Sequence, residues 1–580
     1  MQDLRLLPSA LTSWAVVLLV ILTGGPGWAV VLLVVVGVVC IFTGHWQHAM
    51  LVVAAAGAAL FMAATRQRRA ADFAYPEQLS ATVAGRGTAL EFGGYYFPVK
   101  VDGLAPNLAL FTKPATTGTD ADTVQQTARQ TTQQTAQQPV GIAPGSQILV
   151  DATYQESARP GLAPVVARGE ILEVQPPTGF AKFAANISDS LQAASQQFLG
   201  EPTAALVPGM VLGDRSAQTD QQRQMYIDAG LSHLTAVSGL HVATIVAAAV
   251  ILARVARCGP VGQSIAALVV LAFYASVVGP APSVLRASIT GLVGVAAIVN
   301  SSRMPPIHAL SIAVITLLLI DSDLAVTFGF ALSVAATAGI IALVPLLYRP
   351  LARIRLPDVV VRAFAVSLAA DVVTMPLVAL MAGRVSVVSV LANVAVTPVV
   401  SIALLLGLAA TILAVLPLPF PAEAVALKFA EPAVWWIYRV ASWAQDLPLA
   451  TIEVTPWAAA IAYGWIIVAL LAGLVRTTIA VGIAGMLFAG WLQRPPAPAE
   501  ISSDNVLVIA ELAEITDYSG RIAAETIPGN TEAIVVTDPS GRKADRPTAT
   551  PAGIPIIFPN RDGPVTVYVD GSQHAESGKF

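Results

Sequence analysis

The chain has 580 residues, of which 55% are hydrophobic and 12% charged, with a formal charge of −4. A soluble globular domain carries about 25% charged residues, so this composition excludes a soluble enzyme, a disordered chain and a fibrous repeat. A mean hydropathy of +0.70 predicts a polytopic helical membrane protein. No global basic field exists to steer a polyanion, so any nucleic-acid contact has to be local.

Residues 1–65 read as an N-terminal transmembrane anchor. They are almost uncharged and divide at Gly24-Gly25-Pro26-Gly27 and near Gly44–His48 into about three apolar segments. Arg5 before the run from Ala10 to Leu22 resembles a signal peptide, but no A-x-A site follows and a second apolar run arrives at once. A retained anchor is expected.

Residues 66–200 form a region of different composition. Short alternating runs at Leu79–Gly85, Thr88–Phe92, Tyr95–Val101, Leu108–Lys113, Gln147–Ala152 and Val165–Val174 predict a small β-barrel or sandwich. Between Arg66 and Gly200 there are 10 basic and 11 acidic residues, so the region is near neutral. A Thr/Gln-rich tract over 114–139 has no residues with which to build a core and predicts a loop.

Residues 201–494 are the main membrane body. Apolar helices are expected near 240–257, 261–279, 283–299, 307–320, 324–347, 360–382, 386–416 and 457–475, with a short one at 478–493. With the anchor, the total is about 10–12 membrane segments. The 386–416 run holds Pro398 and is long for one pass, which predicts a hairpin or a re-entrant pair. Residues 421–447, with Glu423, Lys428, Glu431, Arg439 and Asp446 among aromatics, predict an interfacial amphipathic helix.

Residues 495–580 follow Pro495-Pro496-Ala497-Pro498 as a small soluble C-terminal domain. Strands are expected at Val506–Ile509, Ala533–Val536, Ile554–Phe558 and Val565–Val569. From Glu500 on, 12 acidic residues face 6 basic ones, an unfavourable composition for binding a polyanion.

The positive-inside rule orients the body. Arg254, Arg257, Arg303, Arg349, Arg353, Arg355 and Arg362 lie in alternate loops, which are therefore cytoplasmic. The loops at Gly279–Pro282 and at Asp321 and Asp323, the region 66–200 and the tail then lie outside. Arg66, Arg68 and Arg69 conflict with this assignment.

The chemistry concentrates in Val211–Val242, VLGDRSAQTDQQRQMYIDAGLSHLTAVSGLHV. Its charged first half reads as an amphipathic helix at a membrane edge. Then two His, two Ser and two Gly interrupt the place where a helix enters lipid. Polar groups persist there only if they face water or protein partners.

LGDRS and GLSHLTAVSGLH resemble the central signature of ComEC, the bacterial competence channel family that imports transforming DNA. Gly279–Ala287 (GPAPSVLRA) resembles that family's PSVLRA helix start, and Phe328–Ser333 (FGFALS) its GFxLS helix. Thr374–Leu377, Val385-Ser386, Leu391–Asn393 and Pro398 resemble its later TxPL…S…LAN…P pattern. The motifs follow the family's order across about 200–400.

The resemblance implies an extracellular β-barrel of OB type. It implies a channel that passes single-stranded DNA across the cytoplasmic membrane in natural transformation. An outer DNA receptor, a cytosolic helicase or ATPase and a separate nuclease are the implied partners, beside membrane lipid. Many members carry a C-terminal metallo-β-lactamase-like domain with an HxHxDH cluster. The tail here has only His574, so no nuclease, catalytic residue, metal or other cofactor is expected. The family's extracellular cysteine pair is also absent: Cys40 and Cys258 both fall in or at the end of apolar runs. No GxxxxGK[ST] occurs, so energy has to come from a partner or a gradient.

The candidate translocation residues are Asp214, Arg215, His233, Ser238, Gly239, His241, Arg286, Asp371 and Asn393. Ser238 and His241, three apart, share a helix face, and Ala236–Gly239 is similar to the GxSG of rhomboid-type proteases. Pore lining, close helix packing and an intramembrane hydrolase using Ser238 are three readings of the same residues. Arg286 either snorkels to the interface or meets a phosphate or a carboxylate. Asp371, about ten residues inside its span, needs a partner such as Arg286 or Arg384, or water. Asn393 with Pro398 predicts a broken helix or an interhelical hydrogen bond. Asp214 and Arg215 are expected to pair locally and cap the next helix. Phe92, Tyr95, Tyr96 and Lys100 form a candidate stacking platform for single-stranded DNA or, by alternation, are partly barrel core. A small-molecule or ion transporter is the rival function for the whole chain.

Overall fold

The computed structural model describes residues 5–42, 46–89, 95–104, 106–112, 142–279, 281–299, 304–354, 357–447 and 450–474, and shorter stretches from 477 to 575. The Thr/Gln tract, Phe92, Arg303, Arg355 and most of 478–493 lie outside the described residues. The chain divides into two compact units, 1–481 and 482–580.

Three helices open the first unit: α1 (Leu7–Thr23), α2 (Gly27–Phe42) and α3 (Trp46–Ala71). The Gly-rich turn ends α1, with Gly24 at φ 69°, the left-handed conformation glycine adopts without a Cβ penalty. Val16, Val17 and Val20 of α1 are fully buried in a cluster that also takes in Ala56, Ala59 and Ala63 of α3 and Leu317 and Leu318. The Trp14 indole donates to the Ala325 carbonyl at 2.9 Å, which ties the anchor to the later helices.

The β region is a closed barrel. Its strands are β1 (Gln78–Val83), β2 (Thr88–Ala89), β3 (Tyr95–Val101), β4 (Leu108–Thr112), β5 (Gln147–Glu156) and β6 (Val165–Gln175). The sheet order is β1-β5-β6-β4-β3-β2, and an added β1–β3 pairing closes five of the strands. All pairings are antiparallel except β4–β6. Alternation places Leu79, Phe97, Val99, Leu110 and Val150 inside, all fully buried. Closure leaves β1, β3, β4, β5 and β6 without a free edge.

Amphipathic α4 (Gly179–Phe198) leads out of the barrel to α5 (Leu206–Leu212) and α6 (Asp220–Asp228). The body continues with α7 (Gly239–Val255), α8 (Pro260–Val278), α9 (Pro282–Val299), α10 (Pro306–Ile320), α11 (Phe328–Leu351), α12 (Asp358–Ala382), α13 (Ser389–Val415), α14 (Ala422–Gln445) and α15 (Pro456–Leu471). Among the described residues, five helices are long and apolar enough to cross a membrane: Ala49–Ala71 within α3, and α8, α11, α12 and α13. Shorter apolar helices are α1, α2, α7, Pro282–Val295, α10 and α15.

One expectation needs correction. The 386–416 run is neither a hairpin nor a re-entrant pair: Ser389–Val415 is one helix that runs through Pro398. Proline removes one hydrogen bond, and the rest of the 27-residue helix, mostly Ala, Leu and Val, carries it past. At 1.5 Å per residue α13 is about 40 Å long, enough for one tilted pass. The 421–447 stretch forms amphipathic α14, the kind of helix expected there. Its apolar face, including Leu427, Ala430, Val434 and Ile437, is buried in the same cluster as Val396, Val400 and Leu404 of α13. The Trp436 indole donates to the Ala395 carbonyl at 2.9 Å.

Two short strands missed in the sequence, β7 (Arg384–Ser386) and β8 (Thr451–Glu453), pair antiparallel and join the α12–α13 and α14–α15 links. Small residues set the closest helix approaches. A Cβ on Gly407 of α13 would sit 2.6 Å from Val211 of α5, and one on Gly339 of α11 would sit 2.6 Å from the Ala369 carbonyl of α12.

In the second unit, β9 (Val506–Ile509), β10 (Ala533–Val536), β11 (Thr548–Ala549) and β12 (Pro555–Ile557) form a sheet of order β11-β12-β10-β9. The β9–β10 and β10–β12 pairs are parallel. The hairpin of β13 (Val565–Val567) and β14 (Gln573–Ala575) follows. Ile534, Val536 and Ile556 form its core.

Candidate functional site

The segment 213–241 is a folded insert rather than a continuous helix. Gly213, at φ 74°, ends α5. The cap of α6 is Thr219, whose hydroxyl accepts the Gln222 N–H at 3.1 Å while the Gln222 side chain accepts the Thr219 N–H at 3.2 Å. Asp214 and Arg215 therefore do not cap the next helix, and they do not pair with each other.

Asp214 is fully buried and reaches back 128 positions to Arg86, in the turn between β1 and β2, at 2.5 Å. It also accepts from the Ser188 hydroxyl of α4 at 2.9 Å and from the Ser216 N–H at 3.1 Å. Arg86 donates to Ser188 at 2.5 Å. This buried knot fastens the barrel to the LGDRS stretch. Arg215 turns the other way, with Nε donating to the Thr235 carbonyl at 2.8 Å and Nη2 reaching the Ser232 carbonyl at 3.5 Å. Burial, then the neighbouring Arg223, pull its pKa down.

The turn 230–241 thus hangs on Arg215. Its far side rests on α13 and α9. Gly230, at φ 70°, packs directly on Ser389, and an added Cβ would collide with that side chain. The Asn393 amide donates to the Gly230 carbonyl at 3.4 Å and to the Ser389 carbonyl at 3.0 Å. Ser386 donates to the Asp228 carbonyl at 2.6 Å, and Ser283 of α9 donates to the Val237 carbonyl at 2.6 Å. Asn393 thereby acts as an interhelical tie.

His241 is fully buried, and its Nδ1 accepts the Ser238 backbone N–H at 3.0 Å. That contact orients the ring without touching the Ser238 hydroxyl, as a Ser/His nucleophile would need. His233 is exposed at its own surface yet surrounded by protein at longer range, and this desolvation lowers its pKa. Arg286, 7% exposed, donates from Nε to the Ser333 hydroxyl of α11 at 2.8 Å.

Asp371 meets neither arginine proposed for it. Arg286 is held by Ser333, and Arg384 pairs with Asp228 at 3.6 Å. The Asp371 carboxylate, 6% exposed, takes a hydrogen bond from Ser389, and its Oδ2 has no partner among the described residues. Ser389 is the residue that sequence reasoning missed. It touches Gly230, Asn393 and Asp371 together.

Strand alternation separates the barrel aromatics. Tyr95 shares the inward face with Phe97, while Tyr96 and Lys100 share the outer face. Tyr96 stands opposite Phe111 of β4 with ring centroids 5.5 Å apart, and Phe111 had no signal beyond its β pattern.

The barrel also docks at a second place. The Leu162 N–H, in the β5–β6 link, donates to Asp323 Oδ1 at 2.7 Å. Burial drives the Asp323 pKa up to about 6. Arg66 donates to the Ser322 hydroxyl at 2.9 Å and to the Leu319 carbonyl at 2.7 Å. This tie gives a local role to Arg66, one of the three arginines that conflict with the charge rule. Among the described residues no group of three or more His, Cys, Asp or Glu is placed to hold a metal ion.

Residues 210–478, from α5 to just past α15, match the family model described as Competence protein. ComE operon protein 3 of Bacillus subtilis (strain 168) is 31% identical over 149 residues, covering 25% of this chain and 19% of that protein. The match therefore spans less than a fifth of that relative's length. No solved structure matches the chain.

Proposed function

We propose that the chain is a multi-pass protein of a bacterial cytoplasmic membrane that passes single-stranded transforming DNA into the cell. The observation that carries this reading is a coincidence of place. The stretch matching the Competence protein model is the stretch in which Arg215, Ser283 and Asn393 gather around one turn between apolar helices. Polar side chains held at such a depth serve a path for a polar solute.

The barrel, with its β1-β3-β4-β6-β5-β1 strand circuit, is of OB type in this reading and receives DNA on the outer side. Tyr96, Phe111 and Lys100 form its stacking face. An outer DNA receptor, a cytosolic helicase or ATPase and a separate nuclease complete the system. The His241 geometry disfavours a hydrolase, because the imidazole is committed to a backbone N–H.

The test is deletion of the gene in a transformable host, with labelled DNA followed to the cell surface and into the cytosol. Retained surface binding with lost entry is the expected result. Normal transformation of the deletion strain would overturn the proposal. A small-molecule or ion transporter would instead show a growth-linked substrate flux indifferent to DNA.

A further inference from the structure

We infer that Arg286 and the first turn of α7 form an anion site for a backbone phosphodiester of single-stranded DNA. The inference rests on the DNA-passage reading above.

Arg286 lies in the first turn of α9 and is more than nine-tenths buried. Its Nε is held by a neutral hydroxyl, Ser333. Among the described residues no carboxylate pairs with it: Asp214 is taken by Arg86, and Asp228 by Arg384. A Cβ placed on Gly239 would lie 2.7 Å from Arg286 Nη2, so the outer edge of the guanidinium lies against the backbone that opens α7. A helix N-terminus carries about half a positive charge. Two positive groups thus converge, and neither neutralises the other. A buried arginine ordinarily meets an anion.

On the same turn His241 is buried, with its Nδ1 accepting the Ser238 N–H. A buried guanidinium with no carboxylate, set against a helix start, asks for an oxyanion. Ser238 and Gly239 are half-buried and His233 is exposed, so the turn is reachable. A phosphodiester has two free oxygens, which match the guanidinium fork, and helix N-termini favour phosphate. Gly239 is required because a side chain there would occupy the position of the guanidinium.

The probe is a fluorescent oligo(dT) bound by the full chain in nanodiscs across a salt series, with uptake measured in cells carrying the same variants. R286Q is expected to lower affinity about tenfold and to reduce the salt slope by about 0.7, the value for one phosphate on a single strand. Its melting temperature should match the wild type, surface DNA binding in cells should persist, and entry should fall. R286K should recover part of the affinity through its charge. Gly239→Ala, which leaves the arginine in place and displaces it from the helix end, should reproduce the loss. It carries the test if R286Q does not accumulate. Wild-type affinity and slope in R286Q, or in Gly239→Ala where that variant carries the test, would overturn the site and leave the function standing. Failure of the wild-type protein to bind oligo(dT), with normal transformation of the deletion strain, would overturn the function itself.

Discussion

Two regions of this chain bury charge in opposite ways. At the junction between barrel and helices, Asp214 is matched on every side by Arg86, Ser188 and the Ser216 amide. Around the turn 230–241 and the α12–α13 seam, charge is left unmatched: Arg286 has a hydroxyl for a partner, and Asp371 keeps one oxygen unbonded. A fully satisfied buried pair rigidifies and locates. An unsatisfied buried charge costs stability and persists where function needs it. The first region is a fastening, and the second is where the proposed function places a path for a polar solute.

The sharpest way to break this contrast is at the junction. Arg86→Ala leaves the buried Asp214 carboxylate with only its Ser188 and Ser216 donors; because the Arg86 side chain is 37% exposed, the cost is about 1–3 kcal/mol. Thermal unfolding should show that loss, and a double-mutant cycle with Asp214→Asn should show strong coupling. A change within experimental error would mean that the junction is not a fastening. Asp371→Leu should behave in the reverse sense. It removes a half-satisfied carboxylate, so melting should hold or rise, while DNA entry falls at least about tenfold. Full complementation by Asp371→Leu would remove that carboxylate from the functional region.

Further effects refine the comparison. Gly230→Ala forces a side chain into a left-handed backbone and onto Ser389, at a cost of about 1–3 kcal/mol. Its unfolding midpoint should fall, and replacing Ser389 with glycine should relieve the contact. At the second docking point, the raised Asp323 pKa means that the folded state favours the protonated acid. That stabilisation is complete below the unfolded value near 4 and is lost as pH rises through about 6. Stability should therefore decline by on the order of 2–3 kcal/mol between pH 4 and 7. Asp323→Asn should flatten the decline, and an unchanged pH profile would mean that Asp323 is not the titrating group.

Much of the fold was legible in the sequence because it rests on local signals. Alternation marked β3 over Tyr95–Val101 and β9 and β10 in the tail, and apolar length marked α8, α12 and α15. Where local signals conflict, reading failed. Pro398 and the length of α13 argued for two passes, but a single missing hydrogen bond does not outweigh a 27-residue apolar helix packed against α14. The short pair β7–β8 escaped notice because three-residue strands have no period to detect.

The candidate residues divide along the same line. His241, Arg286, Asp371 and Asn393 stood out by sequence, since a polar group inside an apolar run is conspicuous wherever it points. Their partners did not. Arg86 lies in an ordinary Gly-Arg-Gly turn, Ser389 in a run of valines and serines, and Phe111 in a plain strand pattern.

Composition and periodicity alone therefore determined that the chain is mostly apolar helix, that a barrel interrupts it, and which polar residues are out of place. Only the tertiary structure decided that Asp214 belongs to the barrel's Arg86, that Asp371 has neither arginine, and that Arg286 faces the end of α7. The physical reason is the range of the forces. Helix and strand periods are written by neighbours a few positions apart, whereas a buried charge is neutralised by whatever the fold brings within hydrogen-bond distance, here from 128 positions away.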